Sequence, residues 1–387
     1  PVSFFVDAYQ QSFNKYGEEL CGDQLRVLHS GDKSWAVLSD GIGSGVQANI
    51  LASLTADIMI HMLKDAVDLS EVVETLIGSL PVNKEHGLAY ATFTVVEIDH
   101  ASLRFRISNF DNPPTLFFRG GKRLKLAYLT HEMAQHRVKI GEGTLQRGDF
   151  IALVSDGVVN AGPGAAYNYD WSEPQISDFI EGQVGQRLYA ARPVVQSTMQ
   201  HTRALCQGMP GDDASMIGLL LRESRRAMVF TGPPLDSAED DALAQRVLNF
   251  DGTRIVCGGT TGEIVAFNAG YKIHLDPIRF GEKIPPTGFL PGIDLLTEGI
   301  ITLSAALELL DESEGDPLRL SSEHNGAGEL AHALLEADDI LFVVGQKINP
   351  AYQNPALPMS VSIRKNLVEK LAERLQGFNK RVTIEYH

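Results

Sequence analysis

Five aspartates in short contexts, most of which contain glycine, constrain this chain more than any other sequence feature. They are Asp23, Asp40, Asp156 and the pair Asp212-Asp213. Acidic residues that are far apart in sequence but lie at strand ends can assemble a cage of oxygen ligands around a hard divalent cation. These residues therefore predict a metal site at the edge of a sheet.

The neighbouring residues indicate how the acids are placed. The apolar runs before Asp40 and Asp156 each predict a buried strand that ends at Asp-Gly. The glycine lets the backbone turn sharply and brings a carbonyl near the metal. The Asp212-Asp213 pair stands just before a predicted strand over 214–221, so it also lies at a sheet rim. We expect all five acids to converge on one edge.

Two other interpretations of these motifs have to be weighed. Asp-Gly taken alone favours an ordinary turn, and only the order and surroundings of the motifs favour a site. The glycine run 41–46 also follows a strand and precedes a predicted helix, as a dinucleotide-binding loop does. Such a loop needs a third glycine where Val46 stands, and Asp40 would repel a pyrophosphate. The run is therefore a poor nucleotide loop.

From about residue 17 to residue 221 the chain resembles the metal-dependent protein phosphatase family (PPM-type, protein phosphatase 2C-like). Within that family it resembles the branch of the bacterial sporulation stage II protein E (SpoIIE). The resemblance rests on motifs in the family's order: Gly22-Asp23, Asp-Gly-Ile-Gly-Ser-Gly-Val-Gln-Ala at 40–48, Val-Ser-Asp-Gly-Val at 154–158, and Gly-Asp-Asp-Ala-Ser at 211–215.

The resemblance implies an α+β fold, an α-β-β-α sandwich of two mainly antiparallel sheets. It implies hydrolysis of phosphoserine and phosphothreonine in proteins, with a water activated by two Mn²⁺ or Mg²⁺ ions about 4 Å apart. The implied ligand set is Asp40 on both ions, Asp23 with the Gly41 carbonyl on one ion, Asp156 with Asp212 on the other, and Asp213 on metal or on water.

Two departures separate the chain from eukaryotic members of the family. Ile42 stands where those members carry a histidine that can protonate the leaving oxygen, and no arginine upstream of Asp23 clearly matches their phosphate-binding arginine. The SpoIIE branch typically lacks both groups. The departures therefore favour that branch and leave the general acid unassigned.

Charge and cysteine content restrict the partners. The 387 residues include 33 Lys and Arg against 49 Asp and Glu, a formal net charge of −16. This balance disfavours nucleic acid and anionic membranes and favours a protein partner. The sequence has only three cysteines, and we expect no apolar run long enough to span a membrane. Both features favour a cytoplasmic protein. The resemblance implies a phosphorylated protein substrate, with the anti-sigma-antagonist type as the candidate.

A domain boundary is predicted near the charged cluster at 222–226, which breaks the apolar pattern. Residues 1–224 would form the phosphatase domain, and residues 225–387 an α/β domain with a regulatory or partner-binding role. The elements predicted there are strands at 254–257, 264–267, 340–344 and 381–386, and helices at 294–310, 329–336 and 363–375.

The C-terminal half has one suggestive motif, Cys-Gly-Gly-Thr-Thr-Gly at 257–262. Its amides and hydroxyls are suited to holding a phosphate. No lysine of a P-loop follows, however, and Glu263 adds negative charge. We therefore favour a tight hairpin between the two flanking predicted strands.

A second function class stays open for the N-terminal half, namely a noncatalytic phosphoprotein-binding scaffold on the same fold. The clustered aspartates argue against it, because like charges held close together are costly and a scaffold has no use for them.

Overall fold

The computed structural model describes residues 3–79, 91–162, 171–185, 188–275, 287–320, 325–347 and 360–387, with side chains of the last range described from residue 363. The chain divides into two compact units, Pro1–Glu223 and Ser224–His387. This division lies one residue from the boundary predicted from the charge cluster.

The N-terminal unit contains two sheets in which all neighbouring strands are antiparallel. The five-stranded sheet has the order β1 (Phe4–Phe13), β11 (Ala214–Glu223), β10 (Phe150–Val154), β6 (Leu116–Arg119) and β7 (Lys122–Leu124). The six-stranded sheet has the order β2 (Asp23–Ser30), β3 (Lys33–Gly41), β4 (Ala91–Asp99), β5 (Arg104–Phe110), β9 (His136–Thr144) and β8 (Leu129–Met133).

Helices cover the outer face of each sheet. They are α1 (Gly45–Lys64), α2 (Leu69–Ser79), α3 (Asp156–Val159), α4 (Glu173–Val184) and α5 (Arg192–Leu205). Strand alternation explains the layers, since in β3 Trp35 and Val37 pack with α1 and α2 while Ala36 and Leu38 pack with the other sheet. A third buried cluster joins the five-stranded sheet to α4 and α5. The predicted α-β-β-α sandwich is confirmed.

We expected no apolar run long enough to span a membrane, and helix α1 shows that this expectation was wrong. By length and composition it is long and apolar enough to cross a membrane, and it is the one such helix among the described residues. It packs instead against β2, β3 and β4, with Ala52, Ala56 and Met59 fully buried. Length and apolar content alone do not separate a long core helix from a membrane span.

The C-terminal unit is built on one seven-stranded sheet. Its order is β14 (His274–Leu275), β15 (Gly288–Phe289), β16 (Leu295–Thr297), β13 (Thr253–Cys257), β12 (Arg226–Thr231), β17 (Asp339–Val344) and β18 (Arg381–Tyr386). The five strands from β16 to β18 are parallel, and β14 and β15 extend the sheet in antiparallel fashion.

Helices lie on both faces of this sheet, because parallel strands need crossover connections. One buried cluster joins the sheet to α8 (Ile300–Ser313), α9 (Gly326–Glu336) and α10 (Ser360–Gly377). The other joins it to α6 (Asp240–Leu248) and α7 (Gly259–Ala269). Two single 3₁₀ turns, Ser237–Glu239 and Pro317–Arg319, complete the described elements.

Most predicted elements of this unit are present, but two predictions were wrong. Residues 264–267 belong to α7 rather than to a strand, and the hairpin at 257–262 does not exist, since β13 pairs in parallel with β12 and β16. A four-residue apolar run fits a helix as well as a strand. The predicted helix at 294–310 is in fact strand β16 followed by α8.

Candidate active site

The acids of β2 and β3 are paired by the sheet itself. Asp23, at the start of β2, lies directly opposite Asp40, near the end of β3. Residues opposite one another across an antiparallel ladder project from the same face, about 4.5–5.5 Å apart at Cβ. The Gly41 N–H donates to the Gly22 carbonyl (3.1 Å) and holds the two strand ends together. The register therefore places both carboxylates at one edge.

The other acids are brought in by two hydrogen bonds between Ser155, the residue after β10, and Ser215, near the start of β11. The Ser155 N–H donates to the Ser215 carbonyl (3.0 Å), and the Ser215 N–H donates to Ser155 Oγ (2.9 Å). Asp156 follows Ser155 as the first residue of α3. A Cβ at Gly157 would lie 2.0 Å from the Asp213 carbonyl oxygen, so only glycine permits this close approach of the two segments.

The electrostatics show that the carboxylates share one environment. Burial raises the pKa of Asp40 to about 7, and repulsion from Asp156, Asp212 and Asp213 adds to the rise. Burial, followed by repulsion from Asp40, raises the pKa of Asp23 well above its usual range. The pKa values of Asp156 and Asp212 are also raised, chiefly by burial. Closely spaced like charges in a poorly solvated site explain these directions.

Asp213 differs from the other four acids in its contacts. Its Oδ1 accepts from the Lys15 N–H and its Oδ2 accepts from the Gly22 N–H, both at 2.9 Å. Asp213 as a whole is 4% exposed. Asp213 therefore fastens the segments around Lys15 and Gly22 to the start of β11. Its predicted role as a metal ligand stays a prediction.

Three residues near the acids were missed by the sequence analysis. Lys15 lowers the pKa of Asp212 by its charge and is a cation upstream of Asp23. Glu18 accepts from Ser44 Oγ (2.9 Å) at the start of α1, where a negative charge is favoured. Asn112 donates to the Leu38 carbonyl (3.2 Å) and accepts from Thr92, the residue opposite Asp40. No motif marks these three, because their roles depend on contacts between distant segments.

The residues present fit hard divalent cations in their chemistry. Carboxylate oxygens are the ligands that Mg²⁺ and Mn²⁺ prefer, and the buried Asp23 Oδ2 has no hydrogen-bond partner. Within the described ranges, however, no group of three or more acidic, histidine or cysteine side chains already has the geometry of a complete metal site. These side chains would therefore have to move closer together to bind an ion.

Residues 30–222 match the family model of the stage II sporulation protein E (SpoIIE). The N-terminal unit belongs to the SpoIIE family. One SpoIIE relative, stage II sporulation protein E of Bacillus subtilis (strain 168), is 23% identical over 162 residues, which cover 40% of this chain. The matched part spans 19% of that relative's length.

Two solved structures are similar to this chain as well. The phosphatase domain of Bacillus subtilis SpoIIE with a fragment of its regulatory domain is 19% identical, with a TM-score of 0.48, covering 58% of this chain and 64% of that one. The RsbU and RsbW domains of a Mycobacterium tuberculosis protein are 18% identical, with a TM-score of 0.47, covering 64% of this chain and 68% of that one.

Proposed function

We propose that the SpoIIE-family unit is a metal-dependent phosphoprotein phosphatase that hydrolyses phosphoserine and phosphothreonine. The observation that carries the proposal is the meeting of Asp23, Asp40, Asp156 and Asp212 at one end of the sandwich, where each has a raised pKa. A fold that gathers four carboxylates at a cost in stability favours a function that uses them together.

The proposed ligand roles follow the family pattern. Asp40 would contact both cations, Asp23 and the Gly41 carbonyl one of them, and Asp156 and Asp212 the other. The Gly41 backbone is held for this role, because its N–H is bonded to Gly22 and a Cβ there would lie 2.1 Å from the Ala48 carbonyl oxygen. When bound, Mn²⁺ or Mg²⁺ would lower the pKa of a water that attacks phosphorus.

Lys15 is a cation whose charge acts on the acids, since it lowers the pKa of Asp212. We propose that its ammonium group orients the substrate phosphate as a point charge. Lys15 is held near the site by its own N–H, which donates to Asp213. The general acid is not assigned to any residue.

The proposed substrate is a phosphorylated regulatory protein, with the anti-sigma-antagonist type as the candidate that the family resemblance supports. The net charge of −16 supports a protein substrate over nucleic acid. The proposed location is the cytoplasm, supported by three free cysteines and no disulfide among the described residues.

The experiment is release of phosphate from p-nitrophenyl phosphate and from a phosphoserine peptide by the purified chain. We expect turnover with Mn²⁺ or Mg²⁺ and none with a chelator. A noncatalytic scaffold would bind the phosphopeptide without releasing phosphate in either condition, and that result would contradict the proposal.

A further inference from the structure

The C-terminal unit has a change of direction at the centre of its parallel sheet. The chain runs from β12 to β13 and β16 on one side, then returns to β17 and β18 on the other side of β12. In open α/β sheets, ligands bind outside the carboxyl ends of the strands at such a reversal. A ligand site is therefore expected at the carboxyl edge beside β12 and β17.

Glycines line this edge. Each of the four central strands is followed within two residues by a glycine, at positions Gly232, Gly258, Gly299 and Gly345. A Cβ at Gly345 would lie 2.2 Å from the Gly232 carbonyl oxygen, and a Cβ at Gly299 would lie 3.5 Å from the Gly258 Cα. The loops after the strands thus meet through their backbones, and backbone amides rather than side chains form much of the edge.

The N-terminus of α7 lies in this edge. This 11-residue helix begins at Gly259, after its N-cap residue Gly258, which supplies no side-chain cap. Its first turn contains no acidic residue, and Glu263 is the residue that follows this turn. The Gly232 N–H donates to Thr261 Oγ1 (2.9 Å) and so ties the helix start to the end of β12. First-turn amides and the helix dipole together attract an anion.

A second observation, independent of the helix, points to a ligand at the same edge. Thr231, the last residue of β12, and Thr302, in the first turn of α8, are fully buried, and the Oγ1 of each has no hydrogen-bond partner. A buried polar atom left without a partner costs about 1–3 kcal/mol. Two such atoms at one edge are available to hydrogen-bond a bound molecule.

Arg364 completes the cluster. Its Nη1 donates to the Gly345 carbonyl (3.1 Å), and a Cβ at Gly232 would lie 2.3 Å from the same Nη1. Its Nε is buried and has no partner, and no carboxylate of the described residues forms an ion pair with it. Burial lowers the pKa of Arg364, and the charge of Glu298 opposes that shift. A guanidinium placed in this way suits a phosphate group.

The threonines and the arginine lie on one face of the sheet. Thr231 is in register with Cys257 and Val344, which pack in the cluster formed with α8, α9 and α10. Thr302 belongs to α8 and Arg364 to α10, so both approach from that same side. The side chain of Thr231 therefore projects to the face that packs with these helices.

We propose that this edge binds a small phosphorylated molecule, either a phosphomonoester such as a mononucleotide or inorganic phosphate. The phosphate oxygens would accept from Arg364 and the Thr231 hydroxyl on the face of α8, α9 and α10. They would also accept from the first-turn amides of α7, which packs on the other face and is tied to the same edge through Gly232. The site lies wholly within the C-terminal unit and does not depend on the phosphatase proposal.

The test is isothermal titration of the full chain with inorganic phosphate, AMP and adenosine in the presence of chelator. Without metal, the clustered aspartates of the N-terminal unit disfavour anion binding there, and the variants of Arg364 and Thr231 below assign the observed binding to the C-terminal unit. We expect saturable binding of phosphate or AMP, and weaker or no binding of adenosine. Absence of saturable binding by both phosphate and AMP at millimolar concentration overturns the proposal, as does equal binding of adenosine and AMP.

Two variants test whether the ligand binds at this edge. Arg364→Gln should weaken binding at least about tenfold, since it removes the cation. Thr231→Val should also weaken binding yet leave the melting temperature without ligand equal or higher, because its hydroxyl has no partner to lose. Arg374→Gln, near the other end of α10 in a half-exposed ion pair with Asp311, is the matched control and should bind as the unchanged chain does.

Unchanged binding in both Arg364→Gln and Thr231→Val contradicts the site even if the unchanged chain binds AMP. Circular dichroism checks that each variant is folded. Should Arg364→Gln fail to fold, Thr231→Val decides the question alone, because it preserves shape and volume.

Discussion

At the scale of single residues, Asp23 and Asp40 occupy positions that a stable sheet would avoid. They lie directly opposite each other on adjacent strands, where two like charges are destabilising, and Asp156 and Asp212 add to the repulsion on Asp40. Functional sites often retain arrangements that cost stability. A divalent cation bound between these carboxylates would offset their repulsion by its attraction to each of them.

Asp213 should act on stability. Asp213→Asn replaces an oxygen that accepts from a buried backbone N–H with an amide that cannot, so we expect a loss of about 1.5–3 kcal/mol. Urea unfolding followed by tryptophan fluorescence reports on this unit, because both tryptophans of the chain, Trp35 and Trp171, lie in it. Asp32→Asn, at an exposed turn of the same unit, is the control, and equal stability of the two variants would contradict this role of Asp213.

Gly157 should be intolerant of any side chain. Gly157→Ala puts a Cβ 2.0 Å from the Asp213 carbonyl oxygen, and the backbone shift that relieves this contact should cost about 3 kcal/mol and displace Asp156. Gly182→Ala is the control, since it lies inside α4 with open space around it and should add about 0.5–1 kcal/mol of stability. The same fluorescence measurement separates them, and a tolerated Gly157→Ala would show that the two segments are not held this closely.

At the scale of elements, sequence reasoning succeeded where a motif and a strong apolar pattern coincide. The strands before Asp40 and Asp156 and the terminal strand β18 were predicted from the sequence and are present. The run at 264–267 was assigned to the wrong kind of element. The helix buries Thr261, Gly262, Val265 and Ala266, a spacing that extends beyond the four-residue run. The pairing partners of β13, which exclude a hairpin, come from distant strands and leave no local signal.

The same limit applies to the site. Glycine-bearing motifs marked the aspartates, because the chemistry of the residues and the turn that presents them are adjacent in sequence. Lys15, Glu18 and Asn112 reach the site through contacts between segments, such as the bond from the Lys15 N–H to Asp213. Such contacts follow from the assembled sheets and could not be inferred from spacing.

Metal binding should be measurable as stability of the N-terminal unit. Mn²⁺ binds the folded acids and not the unfolded chain, so its addition should raise the melting temperature followed by tryptophan fluorescence. Asp40→Asn should melt higher than the unchanged chain without metal, because it removes one of the repelling charges, and should respond less to Mn²⁺. No shift of the unchanged chain at millimolar Mn²⁺ would count against metal binding by these acids.

At the scale of the whole molecule, the two units differ in what their sequences disclose. The N-terminal unit carries motifs that lead to a family, and the C-terminal unit carries a parallel sheet whose glycine-lined edge became apparent only once the strand order was known. Its predicted regulatory role stays a prediction. Each unit has buried clusters of its own, which is the property expected of domains that can fold alone.

Truncation tests this division. All the predicted metal ligands lie at or before Asp213, so a chain ending at Glu223, the last residue of the first unit, should still hydrolyse p-nitrophenyl phosphate with Mn²⁺. We expect its choice among phosphoproteins or its regulation to change instead. A truncated chain that is folded by circular dichroism but inactive on the small substrate would show that the C-terminal unit contributes to the chemistry.

The most direct test of the central claim compares phosphate release by the unchanged chain and by Asp40→Asn under saturating Mn²⁺. Asp40 is proposed to contact both cations, and even groups that only orient metal ligands contribute about 10–100-fold. We therefore predict a loss of at least about a hundredfold, with an unchanged circular dichroism spectrum. Full activity of Asp40→Asn would contradict the proposal that the clustered aspartates form a catalytic metal site.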